Sequence, residues 1–229
     1  LDLAGKAVGK RVCDLLGVPA LEAPLVLEGG AVHTDGEGTL LTTAEVVLDP
    51  RRNPGRTRAE AEAILCEHLG AMRVVWLTGA LDHDNTDGHV DNLACFAAPG
   101  VVLALSEDDP SDSQYAALRE NLDRLRGARD ARGRRLEVIE LPQPRARARD
   151  GVRYSPSYLN FYLANGAVVM PLFDDPGDAK ARGILACAFP GHAVVGAPAW
   201  TLARSAGGIH CITQQQPRAV SPTLGRSRA

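Results

Sequence analysis

One pattern recurs three times along the chain and constrains its fold more than any other feature. Each copy has two short apolar runs, then an amphipathic helix pattern, then a third apolar run. The two runs are joined by Asp35-Gly36, Pro99-Gly100 or Asn165-Gly166, which are typical of hairpin turns. The sequence therefore predicts an α/β fold built of strand-strand-helix-strand units.

The boundaries of these units follow from the same signals. The predicted hairpin strands are 30–33 with 39–48, 90–96 with 101–105, and 158–164 with 167–173, and the third strands are 72–77, 136–141 and 193–197. Helix stripes run through 61–68, 115–125 and 184–189. Each helix is predicted to begin at an Asx-Pro pair, because Asn or Asp caps a helix and Pro suits its first position. These pairs are Asn53-Pro54, Asp109-Pro110 and Asp175-Pro176.

Partial units are predicted at both ends. Residues 3–16 form a helix pattern followed by an apolar run at 20–27, which is the second half of a unit without its hairpin. Residues 209–213 are predicted to begin a further strand. Residues 1–217 are predicted to form one domain, and the Arg- and Ser-rich segment 218–229 is predicted to be a disordered tail.

Net charge limits the expected kinds of partner, and cysteine content limits the expected cellular location. The net charge of −3 gives no electrostatic reason to expect nucleic acid or an anionic membrane as partner. No apolar run approaches the roughly 20 residues that span a bilayer. The five cysteines are odd in number and include no CxxC pair. This usage favours a reducing, cytoplasmic location over a disulfide framework.

The residues suited to chemistry lie where each unit begins. Glu28 precedes the first hairpin, His89 and Asp91 fall at the second, and Cys211 follows the glycine pair 207–208 near the end. If the units pack around an axis, these side chains converge at one end of it. Asp87, His89 and Asp91 fall at every second position, so all three side chains are predicted to point the same way in an extended chain.

This set suits nucleophilic substitution at a planar, electron-poor carbon. Cys211 attacks as a thiolate, and His89 protonates the leaving nitrogen and then deprotonates a water. Glu28 and Asp91 fit a planar cation with several donors, because a carboxylate matches a guanidinium bidentately. Glu28 can also orient His89. Asp87, Gly207 and Gly208 are predicted as further substrate contacts, since paired glycines let the backbone approach a ligand closely.

Other interpretations of these residues stay open. Cys211 can be a buried cysteine of a short strand. Asp82, His83 and Asp84, with the nearby Asp87 and His89, are dense in metal-ligand types. His33 and His210 are predicted to be packed or hydrogen-bonded, with His210 pointing away from Cys211. The cysteines at 13, 66, 95 and 187 are predicted to be core residues.

Several motifs together resemble those of a known family. These are Leu27-Glu28-Gly29-Gly30, Arg52-Asn53-Pro54 and the segments 36–43, 84–92, 158–166 and 209–217. Through them the chain resembles agmatine deiminases, within the bacterial-type peptidylarginine deiminase group of the guanidino-modifying superfamily. The resemblance covers nearly the whole chain.

The resemblance implies a five-bladed α/β propeller, pentein-like and incomplete at its N-terminus. It implies hydrolysis of agmatine to N-carbamoylputrescine and ammonia through a covalent amidino-thioether. It assigns the nucleophile to Cys211, the acid and base to His89, and guanidinium binding to Glu28 and Asp91. It implies no metal or organic cofactor, and it makes a homodimer the expected assembly.

The sequence departs from the family in two places. The family's N-terminal Trp-x-Arg-Asp-x-Gly-Pro segment, whose Asp binds the guanidinium, has no counterpart here. The family's Gly-Gly-Gly-Asn before Ile-His-Cys reads Ser205-Ala206-Gly207-Gly208. Two alternatives to agmatine deimination therefore remain: a deiminase of arginine or peptidyl-arginine, and a truncated relative without catalytic activity.

Overall fold

The computed structural model describes residues 3–79, 81–82, 84–145, 148–149, 151–205 and 207–216. The predicted tail at 218–229 and the candidate ligand His83 lie outside the described residues. Helices occupy α1 (Leu3–Leu16), α2 (Ala44–Val47), α3 (Arg58–Leu69), α4 (Tyr115–Gly127), α5 (Asp178–Ala188) and α6 (Trp200–Arg204). Strands occupy β1 (Val32–Thr34), β2 (Thr39–Thr43), β3 (Arg73–Leu77), β4 (Ala94–Ala98), β5 (Val101–Ser106), β6 (Glu137–Pro142), β7 (Ala148–Arg149), β8 (Val152–Arg153), β9 (Tyr162–Ala164), β10 (Ala167–Leu172) and β11 (Ala193–Pro198).

The predicted repeat is confirmed. The described part of the chain contains three sheets of three strands, β1-β2-β3, β4-β5-β6 and β9-β10-β11. In each sheet the first two strands form an antiparallel hairpin, and the third strand pairs parallel to the second. The long helix α3, α4 or α5 supplies the crossover that a parallel pair requires.

The units pack against one another through shared apolar clusters. One cluster joins the first two units and includes Leu41, Leu77 and Leu122. A larger one joins the second and third units and includes Leu103 and Met170. A fully buried side chain of this size contributes about 1.5–3 kcal/mol. The beginnings of neighbouring units are therefore held at fixed positions relative to each other.

The predicted helix starts are wrong. Helix α3 begins after Thr57, whose side chain forms a reciprocal capping box with Glu60. Asn53 lies upstream, where its amide donates to the carbonyl oxygen of Val26 and accepts from the Val26 N–H. Asp109 and Asp175 accept backbone N–H groups two residues later, in tight Asx turns that precede the helices.

Several predicted strands also differ from the structure. The first strand of each hairpin begins two to four residues later than predicted, at Val32, Ala94 or Tyr162, because a turn precedes it. The run 39–48 divides into β2 and the short helix α2. Segment 20–27 contains no strand, because its backbone pairs with the Asn53 side chain and not with a described strand. Residues His210–Ile212 form a 3-10 turn in place of the strand predicted at 209–213.

Helix α1 is present as predicted, but its apolar stripe is exposed. Val8, Val12, Leu15 and Leu16 keep 59%, 42%, 85% and 47% of their surface in contact with solvent. These positions fall three or four residues apart and therefore share one helix face. No described helix combines the length and the apolar character that crossing a bilayer requires.

Candidate active site

The structure brings the four predicted catalytic side chains around one cavity of about 530 Å³. Glu28 immediately precedes the 3-10 turn Gly29–Ala31, and His89 precedes the 3-10 turn Val90–Asn92, which contains Asp91. Cys211 lies in the 3-10 turn that follows the third unit. Each of these turns opens a unit or follows the last one, so the packing of the units itself positions the side chains.

Cys211 and Asp91 are direct neighbours. The Sγ of Cys211 lies 3.6 Å from Oδ2 of Asp91, and the same carboxylate oxygen accepts a hydrogen bond of 2.8 Å from Nδ1 of His210. His210 is hydrogen-bonded, as predicted. Its predicted direction away from Cys211 is wrong, since both residues line the cavity: consecutive side chains of a 3-10 turn do not alternate as those of a strand do.

Glu28 lies between His89 and Arg52. Its Oε1 accepts a 2.8 Å hydrogen bond from Nε of Arg52, and its Oε2 lies 3.8 Å from Nε2 of His89. His89 first, and then Arg52, outweigh burial and lower the pKa of Glu28 to about 2. The carboxylate is therefore charged at neutral pH.

Arg52 is the centre of a buried ion network. Its side chain is only 8% exposed. Nη1 donates to Oδ2 of Asp49 at 3.0 Å and to Oδ2 of Asp87 at 2.9 Å, and Nη2 donates to the carbonyl oxygen of Thr86. Arg51 joins the same two aspartates. Because the two arginines face Glu28, Asp49 and Asp87, this network carries a net charge of −1.

Asp87 does not point the way the sequence predicted. Its backbone has a φ of 64° and that of Gly88 a φ of 107°, so the segment is not extended and its side chains do not alternate. Asp87 pairs with Arg51 and Arg52 and is absent from the described residues that line the cavity. The structure therefore places it behind Glu28.

Three polar atoms of the lining residues lack partners. Oε2 of Glu28, Nε2 of His89 and Oδ1 of Asp91 are buried and have no hydrogen-bond partner among the described residues. Buried polar atoms without partners are rare in native proteins and call for an explanation. Two carboxylate acceptors beside an imidazole nitrogen suit a planar cation rich in N–H donors.

The surroundings of the Cys211 thiol oppose its ionisation. Desolvation, and next the negative charge of Asp91, raise the pKa of the Cys211 thiol. Hydrogen bonds from the Gly208 backbone and the Asn160 side chain oppose this rise. A cation placed beside Asp91 would cancel the effect of its charge and favour the thiolate.

Glycines provide the close contacts of the site. A Cβ added to Gly30 would lie 2.6 Å from Nδ1 of His89 and 2.7 Å from Oδ2 of Asp91. A Cβ on Gly208 would lie 2.1 Å from Oδ1 of Asn160, and one on Gly207 would lie 3.4 Å from the Cβ of Cys211. Gly208 therefore makes room for Asn160, whereas a Cβ on Gly207 would approach only the Cβ of Cys211 without a severe clash. Gly207 and Gly208 as substrate contacts remain predictions.

The sequence analysis missed Arg52 and Asn160. Asn160 is 2% exposed, lies before β9 and contacts Cys211. The N–H groups of Ala31, Asn92 and Asn160 bond to the carbonyl oxygens of Glu28, His89 and Ser157, so the repeat matches Asn160 with Ala31 and Asn92. Ser157 occupies the place of Glu28 and His89, and the register of the repeat therefore gave no signal for Asn160. Arg52 precedes the Asn-Pro pair and could not be assigned to Glu28 from spacing.

The metal interpretation gains no geometric support from the described residues. Among them, no group of three His, Cys, Asp or Glu side chains could hold a metal ion. Asp84 instead accepts hydrogen bonds from the backbone N–H groups of Thr86 and Gly88, which fixes the loop before His89.

The other residues predicted to be packed or in the core differ in how buried they are. Cys95 is buried, and burial raises its pKa to about 12. His33 is hydrogen-bonded as predicted, since its Nδ1 accepts from the N–H of Phe96, and burial lowers its pKa to about 4. Cys187 is exposed, so its assignment to the core is wrong, because the outer face of α5 is polar. Cys13 and Cys66 are half-buried.

Comparison with known proteins places the chain in a family. A family model for Porphyromonas-type peptidyl-arginine deiminases matches residues 4–217. The agmatine deiminase of Pseudomonas putida is 45% identical over 237 residues, which include 96% of this chain and 63% of that protein. The agmatine deiminase of Pseudomonas fluorescens is 44% identical and is covered over 57% of its length.

The solved structures give the same result. The agmatine deiminase of Enterococcus faecalis superimposes with a TM-score of 0.88 at 34% identity, over 92% of this chain and 63% of that one. This chain thus has the α/β pentein-like fold and spans less than two thirds of the length of these relatives. Five blades remain a prediction, because the described residues form three complete units. The match of nearly the whole chain to the family model, together with the identity to its members, shows that this protein belongs to the Porphyromonas-type peptidyl-arginine deiminase family.

Proposed function

We propose that this chain carries the catalytic site of an agmatine deiminase, which hydrolyses agmatine to N-carbamoylputrescine and ammonia. One observation carries the proposal: the Cys211 thiol lies beside Asp91 in a cavity that also holds the unpartnered carboxylate oxygen of Glu28. The relatives named agmatine deiminase support the choice of substrate.

Substrate binding would use the unpaired atoms of the site. The guanidinium N–H groups donate to Oε2 of Glu28 and Oδ1 of Asp91, which gives both buried acceptors the partners that they lack in the free protein. Glu28 remains an anion because His89 and Arg52 keep its pKa at about 2. The network that includes Glu28 has a net charge of −1, which is opposite in sign to the charge of a guanidinium.

The first half-reaction forms a carbon–sulfur bond. The Cys211 sulfur attacks the central guanidinium carbon, and His89 donates a proton to the nitrogen that leaves as ammonia. The product of this step is a covalent amidino-thioether on Cys211. The bound cation assists, because its charge offsets that of Asp91 and thereby lowers the raised pKa of the thiol.

The second half-reaction breaks that bond with water. His89, now without its proton, accepts one from a water molecule, and the resulting hydroxide attacks the amidino carbon. The carbon–sulfur bond breaks and Cys211 returns as a thiolate. The hydroxyl group on the carbon loses its proton to solvent and becomes the carbonyl of N-carbamoylputrescine. One water is consumed and one ammonia is released in the complete cycle.

The charge of the cavity favours agmatine over arginine. Arginine has a carboxylate, which a specific pocket would bind with a cation. The described residues that line the cavity include no Lys or Arg. The nearby Arg52 donates its N–H groups to Glu28, Asp49, Asp87 and the Thr86 carbonyl oxygen. The family name nonetheless keeps arginine and peptidyl-arginine as the second candidates.

The experiment is ammonia release from agmatine, with arginine and a peptidyl-arginine as parallel substrates and EDTA as a control. We expect release from agmatine that survives EDTA and stops in the Cys211→Ser variant. Ammonia from arginine alone would move the assignment to the second candidate. No release from any of the three would favour the catalytically inactive relative, and loss of activity with EDTA would revive the metal interpretation.

We also infer a cytoplasmic location and a homodimer. All five cysteines are unpaired, which fits a reducing compartment. The exposed stripe of α1 at Val8, Val12 and Leu15 is an apolar surface of the kind that protein contacts cover. Light scattering coupled to size exclusion tests the assembly, with a mass of two chains expected and a mass of one chain contradicting it.

A further inference from the structure

A second buried residue touches the nucleophile. The amide nitrogen Nδ2 of Asn160 lies 3.2 Å from Sγ of Cys211, and Oδ1 of Asn160 accepts a 3.3 Å hydrogen bond from the backbone N–H of Cys211. The backbone oxygen of Asn160 also accepts from the N–H of His210. One residue therefore holds both the sulfur and the turn that carries it.

The hydrogen-bond partners determine which way the amide faces. A backbone N–H can only donate, so the atom facing the N–H of Cys211 is the oxygen. On its other side, Nδ2 donates to Oδ1 of Asn92 at 3.0 Å. Of the two N–H bonds on Nδ2, one is thus taken by Asn92 and the other is directed at the Cys211 sulfur.

The sulfur needs such a donor only when it is charged. As a thiol, Cys211 can donate its S–H to Oδ2 of Asp91 at 3.6 Å or to Oδ1 of Asn160 at 3.5 Å. After that proton leaves, the sulfur and the carboxylate are two anions in contact, and each hydrogen bond donated to the sulfur offsets their repulsion. Such a bond is stronger to a thiolate than to a neutral thiol.

We propose that Asn160 is a catalytic residue that stabilises the Cys211 thiolate through an N–H···S hydrogen bond. This inference deepens the proposed function, because it concerns the nucleophile assigned there. Asn160 acts before and after the covalent step, when the sulfur attacks the guanidinium carbon and when it leaves the amidino carbon. Asn92 orients the amide by accepting its second N–H.

Gly208 fits the same arrangement. A Cβ at this position would lie 2.1 Å from Oδ1 and 2.5 Å from Cγ of Asn160. No real Cβ approaches a heavy atom so closely, so any side chain at position 208 would displace the amide from the Cys211 turn. In this chain the glycine is needed to let Asn160 reach the nucleophile.

The test measures the thiol itself and does not depend on turnover. Alkylation of Cys211 by iodoacetamide is followed from pH 6 to pH 10, with the modified peptide quantified by mass spectrometry. We expect alkylation of the Asn160→Ala variant to be about tenfold slower at pH 7, with a midpoint displaced to higher pH, because a hydrogen bond to a charged group is lost. The Asn160→Asp variant keeps the oxygen that accepts from Cys211 and lacks the donor, so we expect it to be slower still.

The matched control is Asn121→Ala. Asn121 is also a buried asparagine, but its amide bonds to the backbone of Thr78. We expect this variant to lose stability and to keep the pH–rate profile of the wild-type Cys211. Wild-type profiles in both Asn160 variants would overturn the proposal. If Asn160→Ala does not fold, the alkylation profile of the isosteric Asn160→Asp variant tests the proposal. Alkylation of Cys211 does not require that the chain deiminates agmatine. Failure of the Asn160 proposal can therefore be distinguished from failure of the proposed function.

Discussion

Arg52 joins the carboxylate of Glu28 to the loop that precedes His89. Its Nε donates to Glu28 at 2.8 Å, while its Nη1 donates to Asp87 at 2.9 Å. The two sides of the cavity are thereby connected through one buried guanidinium. This connection and the packing of the sheets together fix the spacing between Glu28 and His89.

Replacing Arg52 should weaken the fold in a pH-dependent way. Arg52→Met removes a charge-assisted hydrogen bond to Glu28, for which we expect a loss of about 1.5–3 kcal/mol at pH 7. Glu28 has a pKa of about 2 in the folded chain against 4.5 ordinarily, so its contribution to stability is present above pH 4.5 and is lost as pH falls towards 2. The difference from wild type should shrink over that range.

Urea unfolding at pH 7, 4 and 3 measures the effect, with Arg119→Met as the control. Arg119 is 57% exposed and its contact with Asp123 is long, at 3.9 Å, so its loss should change stability little. A stability difference for Arg52→Met that stays constant as pH falls would show that the residue does not act through Glu28.

A methyl group at Gly30 should displace His89 and Asp91, the residues proposed to act in catalysis. The added Cβ would fall 2.6 Å from Nδ1 of His89 and 2.7 Å from Oδ2 of Asp91, so both side chains must move. We expect kcat/KM for agmatine to fall about 10²-fold, as small displacements of catalytic groups do. Gly29→Ala is a matched control, because nothing lies within 4 Å of its Cβ. Equal losses in the two variants would contradict the predicted contact.

Neutralising Asp91 should make Cys211 more reactive while it stops catalysis. Asp91 is the second cause of the raised pKa of the thiol, after desolvation. Asp91→Asn should therefore lower that pKa, so that iodoacetamide modifies Cys211 faster at pH 7 although agmatine is no longer bound. Slower alkylation in Asp91→Asn would mean that the carboxylate acts as a base towards the thiol.

The repeat could be read from the sequence, and the local geometry of the site could not. Turn pairs such as Asp35-Gly36 and Asn165-Gly166 are local signals, and the hairpins that they predict are present. Helix α3 begins after Thr57, whose capping box with Glu60 is also a local signal. The nearby Asn53-Pro54 pair obscured that signal.

The turns of the site depend on contacts between units. Gly79 and Gly88 pack backbone to backbone, and Thr43 donates its hydroxyl to the carbonyl oxygen of Gly88, so the segment before His89 cannot extend. His210 and Cys211 share the cavity for a comparable reason, since the backbone N–H groups of both bond to Asn160. Such contacts join residues far apart in sequence and leave no periodic signal.

The central claim is that Cys211 attacks the guanidino carbon of agmatine. Intact-mass spectrometry of the chain quenched in acid during incubation with agmatine tests it most directly, with Cys211→Ser and agmatine-free samples in parallel. We expect an adduct with the mass of agmatine less ammonia. It should lie on the peptide that contains Cys211 and be absent from Cys211→Ser. Ammonia release by Cys211→Ser at the wild-type rate, with no adduct on either protein, would contradict it.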